Sequence, residues 1–173
     1  MLPVDFVARL RDLLPPDRLL TDPVDCYAYA YDNSRKIFPP AAVAFPVTAA
    51  EVQAIVALCN DHEIPLTPRG RGTGTSGGSL PEQGGVALSL ERMLRVVSVD
   101  PANRVIVAEP GVLNQSIQEA VKPYGFFWPP DPSSAAYSRI GGNPPTPAGG
   151  PHGAKNWKAS GHAPGLGGGP GAG

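Results

Sequence analysis

Pro68-Arg69-Gly70-Arg71-Gly72-Thr73-Gly74-Thr75-Ser76-Gly77-Gly78 runs between two short apolar segments, 64–67 and 86–90, that both read as strands. Its five glycines permit positive φ and let consecutive N–H groups turn to one side, forming a concave anion nest that needs no side chain to approach the ligand. Arg69 and Arg71 add positive charge, and a merely flexible loop has no need of basic and hydroxyl residues among its glycines. Gly72, Gly74 and Gly77 formally satisfy G-x-G-x-x-G, but the dinucleotide fingerprint requires its glycines to open a helix. Here Pro81, Gly84 and Gly85 break the chain before the next strand. The nucleoside triphosphate loop fails too, because Gly-Lys-Ser/Thr occurs nowhere. The stretch is therefore expected to pass between strands and to cradle a diphosphate through backbone N–H groups.

Upstream, 41–46 is a short apolar run, and Thr48 with Glu51 forms a capping box that starts a helix, with Val47 and Val52 placed as its hydrophobic staple. Val52, Ile55, Val56 and Cys59 keep the i, i+3, i+4, i+7 spacing, so Cys59 is expected to face the core as a small apolar residue. Strand, helix, strand, loop, strand describes a small parallel α/β unit. Before it, Phe6, Val7, Leu10, Leu13 and Leu14 form the stripe of an amphipathic helix within 1–20, expected to pack on the same domain.

Downstream, 96–99 and 104–108 flank Asp100-Pro101-Ala102-Asn103, where Asp at the first position and Pro at the second suit a type I turn, so an antiparallel hairpin is expected. Leu113, Ile117, Ala120 and Val121 mark a helix stopped by Pro123 and Gly125. A stiff extended segment follows at 126–134. It leads to Gly141-Gly142-Asn143, a second place where backbone can approach a ligand closely.

The chain has 173 residues and a formal net charge of −1, enough length for one domain with a core and no electrostatic case for nucleic acid. Cys26 and Cys59 form no disulfide framework or metal-ligand cluster, and a reduced cytoplasmic setting is expected. No run approaches a membrane span. After Asp131 there is no acidic residue, and from 141 to 173 eighteen of thirty-three residues are Gly or Pro; 154–173 is expected to be a disordered tail.

Tyr31-Asp32, the glycine loop, Glu109-Pro110-Gly111, Pro129-Pro130-Asp131-Pro132-Ser133-Ser134 and Ile140-Gly141-Gly142-Asn143, followed by Ala148-Gly149-Gly150-Pro151-His152, resemble in order the FAD-binding domain of the vanillyl-alcohol oxidase type, also called PCMH-type. Within it the chain is most similar to the group formed by the FAD-binding chain of glycolate oxidase and D-lactate dehydrogenase. The resemblance implies an α+β fold over 21–153, with a small parallel α/β lobe and an incomplete antiparallel α+β lobe.

It further implies that Arg69, Gly70, Arg71, Gly72, Thr73, Gly74, Thr75, Ser76, Gly77 and Gly78 hold the diphosphate of FAD. Asp131, Pro132, Ser133, Ser134, Gly141, Gly142, Asn143 and Thr146 would border its remainder. Covalent members carry a histidine near the place of Thr73, so the flavin is expected to be noncovalent. The implied reaction is oxidation of a 2-hydroxy acid such as glycolate or D-lactate. Its base and carboxylate-binding groups are expected on a substrate domain outside this sequence, so no catalytic residue and no metal site is assigned here. Partners implied by the family are a second flavin subunit and an iron–sulfur subunit.

His62 is expected on the exposed side of its helix. Pro144, Pro145 and Pro147 around Thr146 depart from the family pattern, and the coding frame is expected to be cut or shifted after about His152. A flavin-binding module without catalysis, or a non-functional truncated product, are the alternatives.

Overall fold

The structure, a computed structural model, describes residues 2–128 and 136–142. It separates into two units, Met1–Arg92 and Met93–Gly173.

The first unit is built on a four-stranded sheet. In chain order it contains α1 (Val4–Leu13), β1 (Leu19–Leu20), α2 (Pro23–Cys26), β2 (Ala42–Ala44), α3 (Ala49–Asp61), β3 (Leu66–Arg69) and β4 (Val86–Ser89). The strand order is β1-β2-β4-β3. β4 lies parallel to both β2 and β3, and β1 closes the other edge antiparallel to β2. The parallel α/β unit read from the sequence is thus present, with β4 inserted between the two strands that α3 connects.

Both central strands are buried along their length, as parallel strands covered on two faces must be. Alternation along the strands divides the core. Ala42, Ala44, Val86 and Leu88 pack with Phe6, Leu10 and Leu14 and with Ile55, Leu58 and Cys59 of α3, whereas Val43 and Ala87 pack with Cys26 and Phe45. Phe6 and Leu10 are fully buried, each contributing about 1.5–3 kcal/mol; the N-terminal stripe is part of this core.

Thr48 caps α3, its Oγ1 accepting from the Glu51 N–H at 3.1 Å. The Glu51 carboxylate accepts from the Val47 N–H and from Arg18, both at 2.7 Å, so the box reaches one residue further back and ties α3 to the segment before β1.

Two expectations need correction. The strand entering the glycine loop is Leu66–Arg69 rather than 64–67, because the end of α3 consumes the residues in between. Glu63 adopts φ 53° and the Ile64 N–H donates to Cys59 O at 2.8 Å, a left-handed helix stop. Pro68 is tolerated inside β3 because β3 is a sheet edge, where a missing N–H breaks no ladder. His62 is not on an exposed side. Its side chain is 18% exposed and its ring packs edge-on against Phe6, centroids 5.4 Å apart, because α1 covers the end of α3.

The second unit holds β5 (Val96–Asp100) and β6 (Val105–Ala108), paired antiparallel, and α4 (Asn114–Val121). The Asp100 carboxylate accepts from the N–H and side-chain amide of Asn103, and Arg104 at φ 55° completes the turn. α4 passes into a 3-10 turn, Lys122–Tyr124, that ends at Gly125 with φ 74°. The extended segment is described only as far as Trp128. Its indole N–H donates to Asn114 Oδ1 at 3.0 Å and its backbone N–H to Gln118 Oε1 at 2.8 Å. The expected tail, 154–173, lies outside the described residues.

Candidate functional site

β3 delivers the chain to the glycine loop and β4 receives it. Between them 70–79 adopt no helix, the condition on which a backbone cradle depends. Of the five loop glycines, Gly72 and Gly77 take positive φ, 66° and 81°. Thr73 and Gly74 are held from the side by Asn33, whose side-chain amide donates to Thr73 O at 3.1 Å and whose backbone N–H donates to Gly74 O at 3.0 Å.

A trans peptide points its C=O and its following N–H in opposite directions. Drawing the carbonyls of 73 and 74 toward Asn33 therefore turns the N–H groups of Gly74 and Thr75 away from it, side by side. Among the described residues, no backbone N–H from 72 to 79 donates to another backbone group. Gly74 also has nothing within 4 Å of where a Cβ would stand. Adjacent amides with no backbone acceptor among the described residues, on an exposed and unobstructed loop, are what an anion nest requires.

Arg69 sits beneath this loop. It is 5% exposed. Its Nη2 donates to Tyr31 O at 2.7 Å and its Nη1 to Ser79 O at 3.4 Å, while the guanidinium lies 5.8 Å from the centroid of the Tyr29 ring. Burial pulls its pKa below the ordinary arginine value, and the nearby Asp32 carboxylate opposes that shift. The guanidinium thus joins the loop's far end to the 29–34 segment, with Gly72 packed over it. A Cβ on Gly72 would come within 2.3 Å of Nη2.

Asp32 is 7% exposed. Its Oδ1 accepts from the Ser34 N–H at 2.8 Å. Asp32 Oδ2, Ser79 Oγ and Ser89 Oγ are buried without a hydrogen-bond partner among the described residues. Tyr29 donates to Glu91 Oε1 at 3.3 Å. Burial and the Glu91 charge push the Tyr29 phenol up to about 12, so it stays a neutral donor.

An open groove of about 570 Å³ is lined by residues of β3 and of the loop's second half, Pro65, Thr67, Gly77, Leu80, Glu82 and Gln83 among them. The Glu82 carboxylate on this groove lies 3.7 Å from the Lys36 ammonium.

Gly141 and Gly142 belong to the second unit, in a 3-10 turn over Ile140–Gly142. What approaches Gly141 closely is Pro110. A Cβ there would lie 2.6 Å from Pro110 Cβ, and the Gly141 N–H donates to Pro110 O at 2.9 Å. The Gly142 N–H donates to Arg139 O at 3.2 Å. The amides of this pair are thus engaged within the unit. Glu109 of the Glu109-Pro110-Gly111 motif grips Arg95, accepting from its N–H and its guanidinium at 2.7–2.9 Å. Asp131, Pro132, Ser133, Ser134, Asn143 and Thr146 lie outside the described residues.

Asn33 is the site residue that sequence reasoning misses. Asp32-Asn33-Ser34 marks a turn, but no local signal shows that it meets a loop forty residues on. Cys26 and Cys59 are buried, and burial pushes the Cys59 thiol up to about 11, consistent with a core residue. Among the described residues no group of three or more His, Cys, Asp or Glu could hold a metal, and no helix is long and apolar enough to cross a membrane.

The pattern of the FAD binding domain family matches residues 40–161. Glycolate oxidase subunit GlcD of Bacillus subtilis (strain 168) is 38% identical over 128 residues, 73% of this chain and 27% of that protein. D-2-hydroxyglutarate dehydrogenase of Stutzerimonas stutzeri (strain A1501) is 35% identical over 146 residues, 84% and 32% respectively. The chain thus spans between a quarter and a third of the length of these relatives. Among solved structures, an alkyldihydroxyacetonephosphate synthase superposes with a TM-score of 0.82 at 22% identity, covering 91% of this chain and 34% of that one. p-Cresol methylhydroxylase with bound substrate gives 0.66 at 25%, covering 80% and 28%. The fold is accordingly the α+β, PCMH-type fold.

Proposed function

The chain belongs to the FAD binding domain family, and from that premise we propose that it is the FAD-holding part of a flavin-dependent 2-hydroxy-acid dehydrogenase acting on glycolate, D-lactate or a close analogue. The observation that carries the cofactor assignment is the pair of outward-turned amides at Gly74 and Thr75, fixed by Asn33. Charge-assisted bonds from such N–H groups to phosphate oxygens suit the FAD diphosphate.

The loop residues 70–78 would hold that diphosphate, Arg69 supporting them from below. Thr73 offers no nucleophile of the kind a histidine provides, so the flavin is bound without a covalent link. Bound FAD supplies a hydride acceptor for the Cα hydrogen of the substrate. The chain's own residues bind and orient it; proton removal and carboxylate binding are assigned to the remaining length that the relatives possess. The substrate class rests on the relatives named glycolate oxidase subunit and D-2-hydroxyglutarate dehydrogenase. A second flavin subunit, an iron–sulfur subunit and a cytoplasmic setting complete the proposal.

The test is expression of the 173-residue chain with FAD. Protein that carries flavin absorbance through gel filtration, and releases all of it on acid precipitation, supports the reading. A folded protein that takes up no FAD refutes it, and flavin retained on the precipitate refutes the noncovalent assignment.

A further inference from the structure

We propose that Asn33 is a positioning residue for the cofactor loop: by holding Thr73 O and Gly74 O it fixes the direction of the two amides that meet the diphosphate, and so sets affinity without touching the ligand. This rests on the reading that the loop holds FAD.

The two bonds are not equivalent. Thr73 O is held by the Asn33 side chain at 3.1 Å, and Gly74 O by the Asn33 backbone N–H at 3.0 Å. The side chain therefore governs the peptide that carries the Gly74 N–H, and the backbone governs the peptide that carries the Thr75 N–H. Turning the 73–74 peptide over changes ψ of Thr73 and φ of Gly74, and Gly74, with open space around it, accepts the new φ as no other residue would. Without the Asn33 amide nothing described on this side keeps that peptide from turning over. Turned over, it would present the Thr73 carbonyl oxygen to a phosphate, replacing an attraction by a repulsion.

The anchor itself is fixed. Asp32 Oδ1 accepts from the Ser34 N–H, closing a turn around Asn33. Arg69 Nη2 holds Tyr31 O two residues earlier. The loop and the 31–34 segment are thus linked at both ends of the contact, by Arg69 below and Asn33 beside. Asn33 is exposed, so its substitution leaves the core intact.

The experiment uses the whole 173-residue chain, 15N-labelled, as wild type, Asn33→Ala and the isosteric Asn33→Asp, with FAD and ADP as probes. Loss of one charge-assisted bond predicts FAD and ADP binding roughly 10- to 100-fold weaker in Asn33→Ala, and weaker still in Asn33→Asp, whose carboxylate repels Thr73 O. The melting temperature of the ligand-free protein should be unchanged. ADP should shift the Gly74 and Thr75 amide resonances in wild type, whereas in Asn33→Ala the Gly74 response should collapse and the Thr75 response persist. A merely structural role would not produce that split. Wild-type affinity in both variants, or equal loss at Gly74 and Thr75, overturns the positioning role while leaving the FAD reading standing; failure of the wild type to bind FAD overturns both.

Discussion

Replacing Gly72 and Gly74 separately by alanine distinguishes a glycine that shapes the loop from one that faces its ligand. At Gly72, φ is 66° and a Cβ would stand 2.3 Å from Arg69 Nη2. Ordinary contact begins near 3.4 Å, so the guanidinium has to retreat by about 1 Å. Its 2.7 Å bond to Tyr31 O does not survive such a shift. The left-handed conformation costs alanine about 1–2 kcal/mol and the lost bond from a buried charge about 1.5–3 kcal/mol. The expected destabilisation is their sum, roughly 2.5–5 kcal/mol. At Gly74 no positive φ is required and nothing lies within 4 Å, so Gly74→Ala should change stability by less than about 0.5 kcal/mol. The same methyl sits on the residue whose N–H is proposed to meet the diphosphate, and on that proposal FAD affinity should fall about tenfold or more. Urea denaturation followed by far-ultraviolet circular dichroism reads the first quantity, since both tryptophans, Trp128 and Trp157, lie in the second unit's range. Flavin titration reads the second. A Gly72→Ala loss under about 1 kcal/mol would refute the account of Arg69 as the loop's internal support. Wild-type FAD binding by Gly74→Ala would refute the placement of the phosphate.

The Glu51 carboxyl lies below its ordinary value because of Arg18. Its contribution is fully present above the unfolded value near 4.3 and is lost as pH falls through the lower folded value; acid unfolding monitored in Glu51→Gln should show a flatter dependence over that window, and an unchanged profile would remove Glu51 from the account. In the second unit, Gly141→Ala should destabilise through collision with Pro110, whereas Gly142→Ala, with nothing within 4 Å, should be tolerated; equal melting temperatures would contradict the packing described. Cys59, buried and with its thiol pushed up to about 11, should resist a thiol reagent at pH 8 until urea unfolds the chain, and prompt labelling in the folded protein would place it elsewhere than the core.

Order along the chain is what the sequence determined. Capping at Thr48, the i, i+3, i+4 stripes of α1 and α3, the Asp100-Pro101 turn and the glycine-rich stretch are local signals, each set by propensities or sterics of residues a few positions apart. They gave the strand–helix–strand unit, the hairpin and the loop of bare amides, and with them the family. What tertiary structure alone decided is which of these groups are engaged by contacts within the protein. Arg69 reads as a phosphate ligand beside Arg71, yet it turns inward, because its position at the end of β3 puts it under the loop where Tyr31 O and Ser79 O meet it. Gly141 reads as a place for a ligand's approach, yet the approaching atoms belong to Pro110. Asn33 carries no motif at all, and its hold on Thr73 and Gly74 exists only once the chain has folded back across forty residues. Hydrogen-bond direction depends on where a distant backbone group arrives, and sequence spacing holds no record of that.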